Sequence, residues 1–414
     1  MTRSLPTQPR VAIACGGTGG HLFPGLAVAE LLVQRGCAVT LLVSPKEVDQ
    51  QAVKMVRGME VVTLPAVGLT RRQAVAFVRG FGQSYRAARR VFHGGGLGQP
   101  ALPLQAALAM GGFTSAPPIL AARRLGARTF LHESNTVPGR ANRWLSWIVD
   151  GAFVGFPATA ARLHCRQVTV SGTPVRPQFH RREAAACRAA LGLDPARPVM
   201  LVMGGSQGAS GINDLVLQAL PVLAQRAPQW QWFHLTGPNQ VEKVRQAYAA
   251  VHLHAVVHPF FTSMELALGA ATAAISRAGA SSLAELAAMR LPAVLVPYPA
   301  ATDNHQFFNA RAFEQTGAAR LLEQKGATAD QLVNWLLELA QLPTVREPMQ
   351  RALEQWQAPQ AAAQIAQVIL DSMKRGKAEM RNPKFATNPN HEWTPMDTNG
   401  ENQTAVGHWG RRGA

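Results

Sequence analysis

Short apolar runs alternate with longer segments of helical period along most of the chain. In the first half, runs typical of β-strands occupy residues 11–15, 38–43, 129–131, 152–154 and 168–170, and residues 23–35 have a helical pattern. In the second half, similar runs occupy residues 199–203, 231–235, 256–257, 273–276 and 293–297, with helical patterns between them. This alternation predicts an α/β fold with parallel sheets covered by helices on both faces.

Two of the predicted strands lead into clusters of small residues. Residues 11–21 read VAIACGGTGGH, and residues 198–213 read PVMLVMGGSQGASGIN. Glycines let the backbone approach a phosphate, and the helix that follows offers free N–H groups and the positive end of its dipole. One such strand–loop–helix unit in each half predicts two facing Rossmann-like domains with a ligand held in the cleft between them.

The first glycine loop departs from the dinucleotide-binding fingerprint. Counted from Gly17, the frame ends in Leu22 where a third glycine would stand, and the next strand runs into residues 44–46, SPK, without the acid that binds an adenosine ribose. The departure disfavours a nicotinamide or flavin cofactor. It leaves a phosphate-binding loop, to which Thr18 and His21 add side-chain donors. For His21, a helix cap without chemistry is the alternative.

Composition narrows the class of protein. The 414 residues carry a formal net charge of +17. This charge favours an acidic partner such as nucleic acid, an anionic membrane or phosphorylated substrates, unless it reflects a general preference for arginine in the organism. The four cysteines are scattered without metal-ligand spacing, which indicates reduced thiols and no metal site. No apolar run has the length of a signal-peptide core or a membrane span, so we expect a soluble or peripheral protein.

Two segments break the alternation of strands and helices. Residues 171–177, SGTPVRP, have the extended, turn-forming character of an interdomain linker. Residues 375–414 are polar and rich in Asn, Pro and Gly, without an apolar period. That composition predicts a disordered tail, either dispensable or bound to a specific partner.

Polar clusters follow three further strands, at the sheet edge where α/β folds bind ligands. Residues 132–142 read HESNTVPGRAN, and residues 298–310 read YPAATDNHQFFNA, whose consecutive polar side chains suit sugar hydroxyls and an amide. Within residues 276–292, SRAGASSLAELAAMRLP, Glu285 lies in the first turns of a helix and can accept hydrogen bonds from both hydroxyls of a ribose. The alternatives are a purely hydrogen-bonded loop for HESN and a dipole-stabilising role for Glu285.

The order of these motifs is similar to that of a known family. Over residues 10–372 the chain contains, in order, GGTGGHLFPGLAVAE, GGFTSAP, HESN…G…N, SGTPVR, GGSQGA…IN, PF…M, SRAGASSLAE, LPAVLVPYP and DNHQ..NA. This series closely resembles the MurG family, the peripheral membrane N-acetylglucosaminyltransferases of bacterial peptidoglycan synthesis in glycosyltransferase family 28. The resemblance implies a GT-B fold, UDP-N-acetylglucosamine as donor and the muramoyl-pentapeptide diphospho-undecaprenol lipid as acceptor. It also implies inverting transfer with neither metal nor cofactor, at the cytoplasmic face of the membrane.

The resemblance further implies a division into domains. We expect an acceptor and membrane-side domain over residues 10–172, completed by a helix at about residues 358–372, and a UDP-sugar-binding domain over residues 178–354. In the first half the resemblance assigns donor contacts to Thr18, Gly19, Gly20 and Asn135. Two features depart from the family: HESN stands where HEQN is commoner, and residues 94–112 lack a clear strand before GGF.

In the second half the resemblance assigns the remaining donor contacts. They are Arg176 and Ser206 to the diphosphate, the backbone around Phe261 to the uracil, Glu285 to the ribose, and His305 with Gln306 to the N-acetylglucosamine. Helix N–H groups with Arg176 and Ser206 can stabilise the departing diphosphate without a metal. No DxD motif stands where it could hold a divalent ion, which agrees with metal independence.

The acceptor hydroxyl needs a base, and His21 on the N-terminal lip of the cleft has a suitable ordinary pKa. Alternatively, His21 binds the acceptor diphosphate. Two rival enzymes share the donor motifs: another GT-B glycosyltransferase with a lipid acceptor, and a UDP-sugar epimerase. A basic nucleic-acid-binding protein would explain the charge but not two glycine loops, and the chain has no RNP, KH or zinc-finger pattern, so we expect no nucleic-acid partner.

Residues 71–92, RRQAVAFVRGFGQSYRAARRVF, have a basic amphipathic pattern. At 100° per residue one stripe is formed by Phe77, Phe81, Tyr85, Ala88 and Phe92. The opposite face collects Arg72, Arg79, Arg86 and Arg90. The pattern fits an element lying on an anionic bilayer, or an ordinary surface helix whose stripe faces the core. Because the implied acceptor stays in the membrane, we expect this segment to dock there.

Overall fold

The computed structural model describes residues 8–53, 56–65, 74–94, 103–205 and 208–374. Three of the sequence-based expectations therefore lie outside the described residues. They are the diphosphate contact of Ser206, the place of Arg72 on the amphipathic segment and the disorder of residues 375–414.

The first domain is built on a parallel sheet of seven described strands. In chain order they are β1 (Arg10–Ala14), β2 (Ala38–Val43), β3 (Glu60–Thr63), β4 (Ala106–Ala109), β5 (Arg128–Glu133), β6 (Gly151–Val154) and β7 (Val168–Val170). The helices between them are α1 (Gly19–Gln34), α2 (Glu47–Val53), α3 (Ala74–His93), α4 (Ala116–Arg124) and α5 (Arg140–Leu145). The spatial order is β3-β2-β1-β4-β5-β6-β7. The connections thus reverse direction between β1 and β4, the place where such sheets bind ligands.

The second domain repeats this plan with six described parallel strands. They are β8 (Val199–Met203), β9 (Gln231–Leu235), β10 (Ala255–His258), β11 (Ala273–Ser276), β12 (Ala293–Leu295) and β13 (Arg320–Leu321), in the spatial order β10-β9-β8-β11-β12-β13. The helices are α6 (Ala184–Ala190), α7 (Ser210–Arg226), α8 (Val241–Ala250), α9 (Met264–Ala270), α10 (Ala280–Met289), α11 (His305–Gln315), α12 (Ala329–Gln341) and α13 (Pro343–Glu354). Two doubly wound sheets confirm the predicted α/β class.

The last described helix, α14 (Ala361–Lys374), returns to the first domain. Its apolar residues Ile365 and Ile369 are fully buried in one cluster with Val11 and Leu22. At the rim, Nη1 of Arg35 donates a 3.1 Å hydrogen bond to Oε1 of Gln367. The first domain is therefore made of two stretches of chain, and the polypeptide crosses between the domains twice.

Most predicted strands occur within a residue or two of their expected bounds, but β3, β4 and β13 were not predicted. The missing strand before GGF is β4, whose sequence AALA has little intrinsic β-propensity. It forms because β1 and β5 pair with it on both sides and bury all four residues. A central position in the sheet thus outweighs local preference.

The amphipathic helix α3 corrects the expected direction of its aromatic stripe. Ala88 and Phe92 are buried in the core of the first domain, and Phe81 and Tyr85 pack against the same cluster. This part of the stripe therefore faces the sheet and α4, whereas Phe77, one turn earlier, packs on the ring of Phe81. The exposed apolar residues lie instead in its first turns, where Val75 is 68% and Val78 67% exposed.

Two further expectations concern the membrane and the thiols. Within the described residues, no helix combines the length and apolar character needed to cross a bilayer. All four cysteines are free; Cys15, Cys37 and Cys187 are buried and Cys165 is partly exposed.

Two helical glycines make a matched test of packing. A Cβ at Gly25 of α1 would lie 2.6 Å from the Cβ of Cys15 on the neighbouring strand, whereas a Cβ at Gly82 of α3 has open space around it. We expect Gly25→Ala to destabilise the fold by about 1–3 kcal/mol through overpacking. Gly82→Ala should stabilise it by roughly 0.5–1 kcal/mol through helix propensity. Thermal unfolding followed by circular dichroism measures both, and equal effects of the two variants would contradict the packing of α1.

Candidate active site

The two domains meet where helices α1 and α10 begin. Each helix follows a central strand, β1 or β11, and the two helix starts are in contact at the boundary between the domains, where the cleft is expected. The hydroxyl of Ser281 at the start of α10 donates a 3.1 Å hydrogen bond to the carbonyl of Gly20 at the start of α1. The predicted loop residues Thr18, Gly19 and Gly20 thus lie at the domain boundary, next to the second domain.

A buried carboxylate holds the first glycine loop through hydrogen bonds. Oδ2 of Asp49 accepts hydrogen bonds from the amide of Gly17, at 2.6 Å, and from the amide and hydroxyl of Ser44. Nζ of Lys46 donates to the carbonyl of Gly17, at 2.9 Å. Because the Gly17 amide is already bonded, the part of the loop left for a ligand begins at Thr18. The sequence pattern does not reveal Asp49, because this residue lies on α2, six residues after the end of β2, where a ribose-binding acid is expected.

The ring of His21 packs on a pair of glycines. Gly111 and Gly112 follow β4 with φ values of +105° and +77°, and a Cβ on either would lie 2.9 or 3.1 Å from the imidazole. Burial lowers the pKa of His21, while the nearby Glu133 carboxylate and the Met110 carbonyl act in the opposite direction. The lowered pKa favours the neutral form of the ring, which is the form that accepts a proton. The charge of His305 in the second domain also lowers the pKa of His21.

The HESN segment is organised by its glutamate. Oε1 of Glu133 accepts from the amide and Nδ2 of Asn135, at 2.9 and 3.0 Å. Oε2 accepts from the amide of Gly139 and from Nδ2 of Asn142, both at 2.9 Å. The motif HESN…G…N thus contains the Glu133 carboxylate and the residues that donate hydrogen bonds to it, Asn135, Gly139 and Asn142. For Glu133 this is the hydrogen-bonded loop considered as the alternative, and it holds Asn135 at the cleft.

The buried side-chain amide of Asn309, in the second domain, forms hydrogen bonds with the HESN segment. Oδ1 of Asn309, on α11, accepts hydrogen bonds from the amide and hydroxyl of Thr136, at 2.9 and 3.0 Å. Its Nδ2 donates to Oδ1 of Asn135, at 3.0 Å, and to the carbonyl of Ala278, at 3.2 Å. Asn309 is fully buried. The sequence pattern includes Asn309 in DNHQ..NA, but nothing in it signals a bond between domains.

Arg176 and Glu285 come together on the second-domain side of the cleft. The guanidinium of Arg176 lies 4.6 Å from the ring centre of Phe23 on α1 and 5.1 Å from that of Phe179. Burial raises the pKa of Glu285 to about 7, against the opposing effect of Arg176. The residues assigned to the diphosphate and the ribose are therefore neighbours, as one nucleotide requires.

The last predicted residues lie at the start of α11 and in the loop before α9. Asp303 and Asn304 have φ values of +51° and +53°, a left-handed turn that begins the helix. It places Nδ1 of His305 2.7 Å from the carbonyl of Thr302, and Oε1 of Gln306 accepts from the amide of Tyr298. The ring of Phe261 packs inward on Phe233 and His258, so its side chain is part of the core.

Comparison with known proteins agrees with this architecture. Residues 11–154 match the glycosyltransferase family 28 N-terminal domain, and residues 199–367 match the glycosyltransferase family 28 C-terminal domain.

Curated relatives extend the similarity over most of the chain. A protein of Anaeromyxobacter dehalogenans is 34% identical over 387 residues, covering 88% of this chain and 94% of the relative. A protein of Acidithiobacillus ferrooxidans is 38% identical over 366 residues, covering 87% and 97%. Both are named UDP-N-acetylglucosamine–N-acetylmuramyl-(pentapeptide) pyrophosphoryl-undecaprenol N-acetylglucosamine transferase.

A solved structure matches in the same way. The crystal structure of Acinetobacter baumannii MurG is 28% identical and superposes with a TM-score of 0.68, covering 88% of this chain and 99% of that one. These findings confirm the resemblance drawn from the motifs. The chain belongs to glycosyltransferase family 28.

Proposed function

We propose that the chain transfers N-acetylglucosamine from UDP-N-acetylglucosamine to the muramoyl-pentapeptide diphospho-undecaprenol lipid, with inversion and without a metal. The observation that carries the proposal is the meeting of the two domains, which brings His21 near His305 and Arg176, packed on Phe23, near Glu285. The named activity of the curated relatives agrees with it.

On the donor side, the proposal uses groups of the second domain. The Glu285 carboxylate accepts hydrogen bonds from both ribose hydroxyls, and the backbone around Phe261 holds the uracil. Arg176 lies beside Glu285 and is placed for the diphosphate. His305 and Gln306, at the start of α11, bind the sugar together with Asn135, whose side chain Asn309 and Glu133 hold in position.

The chemical step joins the acceptor hydroxyl to the anomeric carbon while the bond to UDP breaks on the opposite side. In-line geometry needs both substrates fixed in one cleft. Binding them there makes a bimolecular reaction effectively unimolecular. His21 takes the proton of the hydroxyl, and the imidazolium so formed is stabilised by the nearby Glu133 carboxylate. Arg176 and the amides at the start of α7 stabilise the negative charge of the departing UDP.

A radiolabel transfer assay tests the reaction and its base together. We expect transfer from UDP-N-acetylglucosamine to the lipid-linked muramoyl-pentapeptide, unchanged by EDTA. His21→Ala should lower kcat by about a hundredfold or more while donor binding, followed by calorimetry, stays intact. His164→Ala, which changes a histidine stacked on Trp147 away from these groups, is the control and should keep full activity.

Three outcomes of this assay contradict parts of the proposal. Transfer only to a different lipid acceptor supports the alternative GT-B transferase. If EDTA abolishes activity and added Mg²⁺ restores it, the reaction is not independent of metal. An effect of His21→Ala confined to the acceptor KM assigns that residue to acceptor binding instead of proton transfer.

The pKa of Glu285 predicts a pH dependence of donor binding. With a pKa of about 7, the carboxyl is ionised above pH 7 and protonated below it, and the protonated form accepts fewer hydroxyl hydrogen bonds. The donor KM should therefore rise roughly tenfold as the pH falls from 8 to 6, about 1.4 kcal/mol of binding.

Glu285→Gln is the matched variant for this prediction, because it keeps the shape and removes the titration. Its donor KM should be high and independent of pH, with kcat little changed, since ribose binding is shared by the ground and transition states. A wild-type KM that stays flat between pH 6 and 8 removes the assignment of the ribose to Glu285.

We also propose that the first domain docks on the cytoplasmic leaflet through α3. As the anchor we propose the exposed Val75 and Val78 in the first turns, with Arg79, Arg86 and Arg90, which are exposed along the helix. Two valines entering the interface add apolar burial, and each arginine near an anionic surface adds about 1 kcal/mol, weakened by salt.

Co-sedimentation with vesicles containing anionic lipid tests this anchor. Val75→Asp with Val78→Asp should reduce vesicle binding at least tenfold. The matched control is Val170→Asp with Val222→Asp, which changes two other exposed valines and should leave binding as in the wild type. If both pairs sediment like the wild type, α3 is not the anchor.

A further inference from the structure

A pocket lined by arginines lies on the second domain, at the sheet edge opposite the cleft. It is formed by α6 with the residues before it, the ends of α9 and α10, and α13, and it has a volume of about 190 Å³. Its charged lining residues are Arg181, Arg182, Arg188, Arg290 and Arg346. No acidic side chain is found among the described residues that line it. We call it the arginine pocket.

Two of these arginines are held in place by neutral acceptors. Arg188 donates through Nε to the carbonyl of Ala270, at 2.9 Å, and through Nη2 to the hydroxyl of Thr272, at 3.2 Å. Arg346 donates through Nη1 to the carbonyl of Ala340, at 3.0 Å. Carbonyls at helix ends orient a guanidinium without cancelling its charge. These bonds orient the two arginines and leave their charges in place, although the carboxylates of Glu183 and Asp194 lie near Arg188.

Arg290 lines the pocket at the end of α10. It occupies the left-handed conformation after α10, with φ +50°, a position at which glycine is the usual residue. Its ion pair with Glu354 uses Nη1, whereas its Nε is buried without a hydrogen-bond partner among the described residues. Because this N–H is closed off from the pocket, an anion there would bond the exposed part of the Arg290 guanidinium.

We propose that the arginine pocket binds a phosphate group or an inorganic diphosphate. A pocket of about 190 Å³ has room for such an anion. Guanidinium forks match the geometry of phosphate oxygens. The ligand is either a soluble phosphate compound or a lipid headgroup with a phosphomonoester.

The arginine pocket is separate from the donor cleft. Helix α10 connects the two: Ser281 near its start contacts Gly20 in the cleft, and Arg290 caps its other end. Nine residues of helix separate them by roughly 13 Å along the axis. The proposal therefore does not depend on the transferase activity, and each can fail without the other.

Calorimetry on the full chain tests the arginine pocket, with the cleft first filled by a slight molar excess of UDP. Titration with inorganic diphosphate should then give one site. The variant Arg181→Ser with Arg290→Gly should lower its affinity at least tenfold. Glycine suits the left-handed backbone at residue 290, so this variant keeps the fold, which its thermal unfolding midpoint verifies. The control, Arg226→Ser with Arg245→Ser, removes two exposed arginines elsewhere on the second domain and should keep the wild-type affinity.

Vesicles of phosphatidylcholine with phosphatidic acid distinguish the two sources of the ligand. If the pocket variant loses vesicle binding and the control does not, the phosphate belongs to a lipid. If both bind vesicles like the wild type while the pocket variant alone loses diphosphate, the ligand is soluble. Absence of diphosphate binding with UDP present, or equal affinity in the pocket and control variants, overturns the proposal.

Discussion

The side-chain amide of Asn309 is the interaction on which the geometry of the cleft depends. It is fully buried and bonds to Thr136 and Asn135 of the first domain and to Ala278 of the second. A buried amide that loses its partners costs about 1–3 kcal/mol, so the two domains are favoured in the one arrangement that satisfies it. In that arrangement Ser281 donates a hydrogen bond to Gly20, and the guanidinium of Arg176 packs on the ring of Phe23. The charge of His305 also acts on the pKa of His21.

Carboxylates serve two different purposes in this chain, and their surroundings decide which. Asp49 and Glu133 are buried among backbone and side-chain donors, and they fasten the glycine loop and the HESN segment. Glu285 is partly exposed and has no such hydrogen bond within the described structure, and its partial burial raises its pKa. A desolvated carboxylate that lacks protein donors gains most from a ligand that brings its own.

Arginines of this chain, whose formal net charge is +17, lie in three places that suit anions of different kinds. On α3, Arg79, Arg86 and Arg90 are exposed after the exposed valines of the first turns, on the surface proposed to dock on a bilayer. In the cleft, Arg176 lies beside the place proposed for a diphosphate. At the far edge of the second domain, arginines surround a pocket of about 190 Å³. A lipid-linked acceptor and a nucleotide donor require the first two, and the third is an independent feature.

The sequence by itself determined the α/β class, the two glycine loops and the polar clusters at strand ends, because these follow from local periodicity and composition. Only the tertiary structure decided the rest. The strand AALA forms through its neighbours on both sides, and the stripe of α3 faces inward because the sheet lies beneath it. Asp49 reaches Gly17 across 32 residues, and Asn309 reaches Asn135 across 174. Bonds between residues so far apart in sequence depend on how the elements pack, which no local pattern contains.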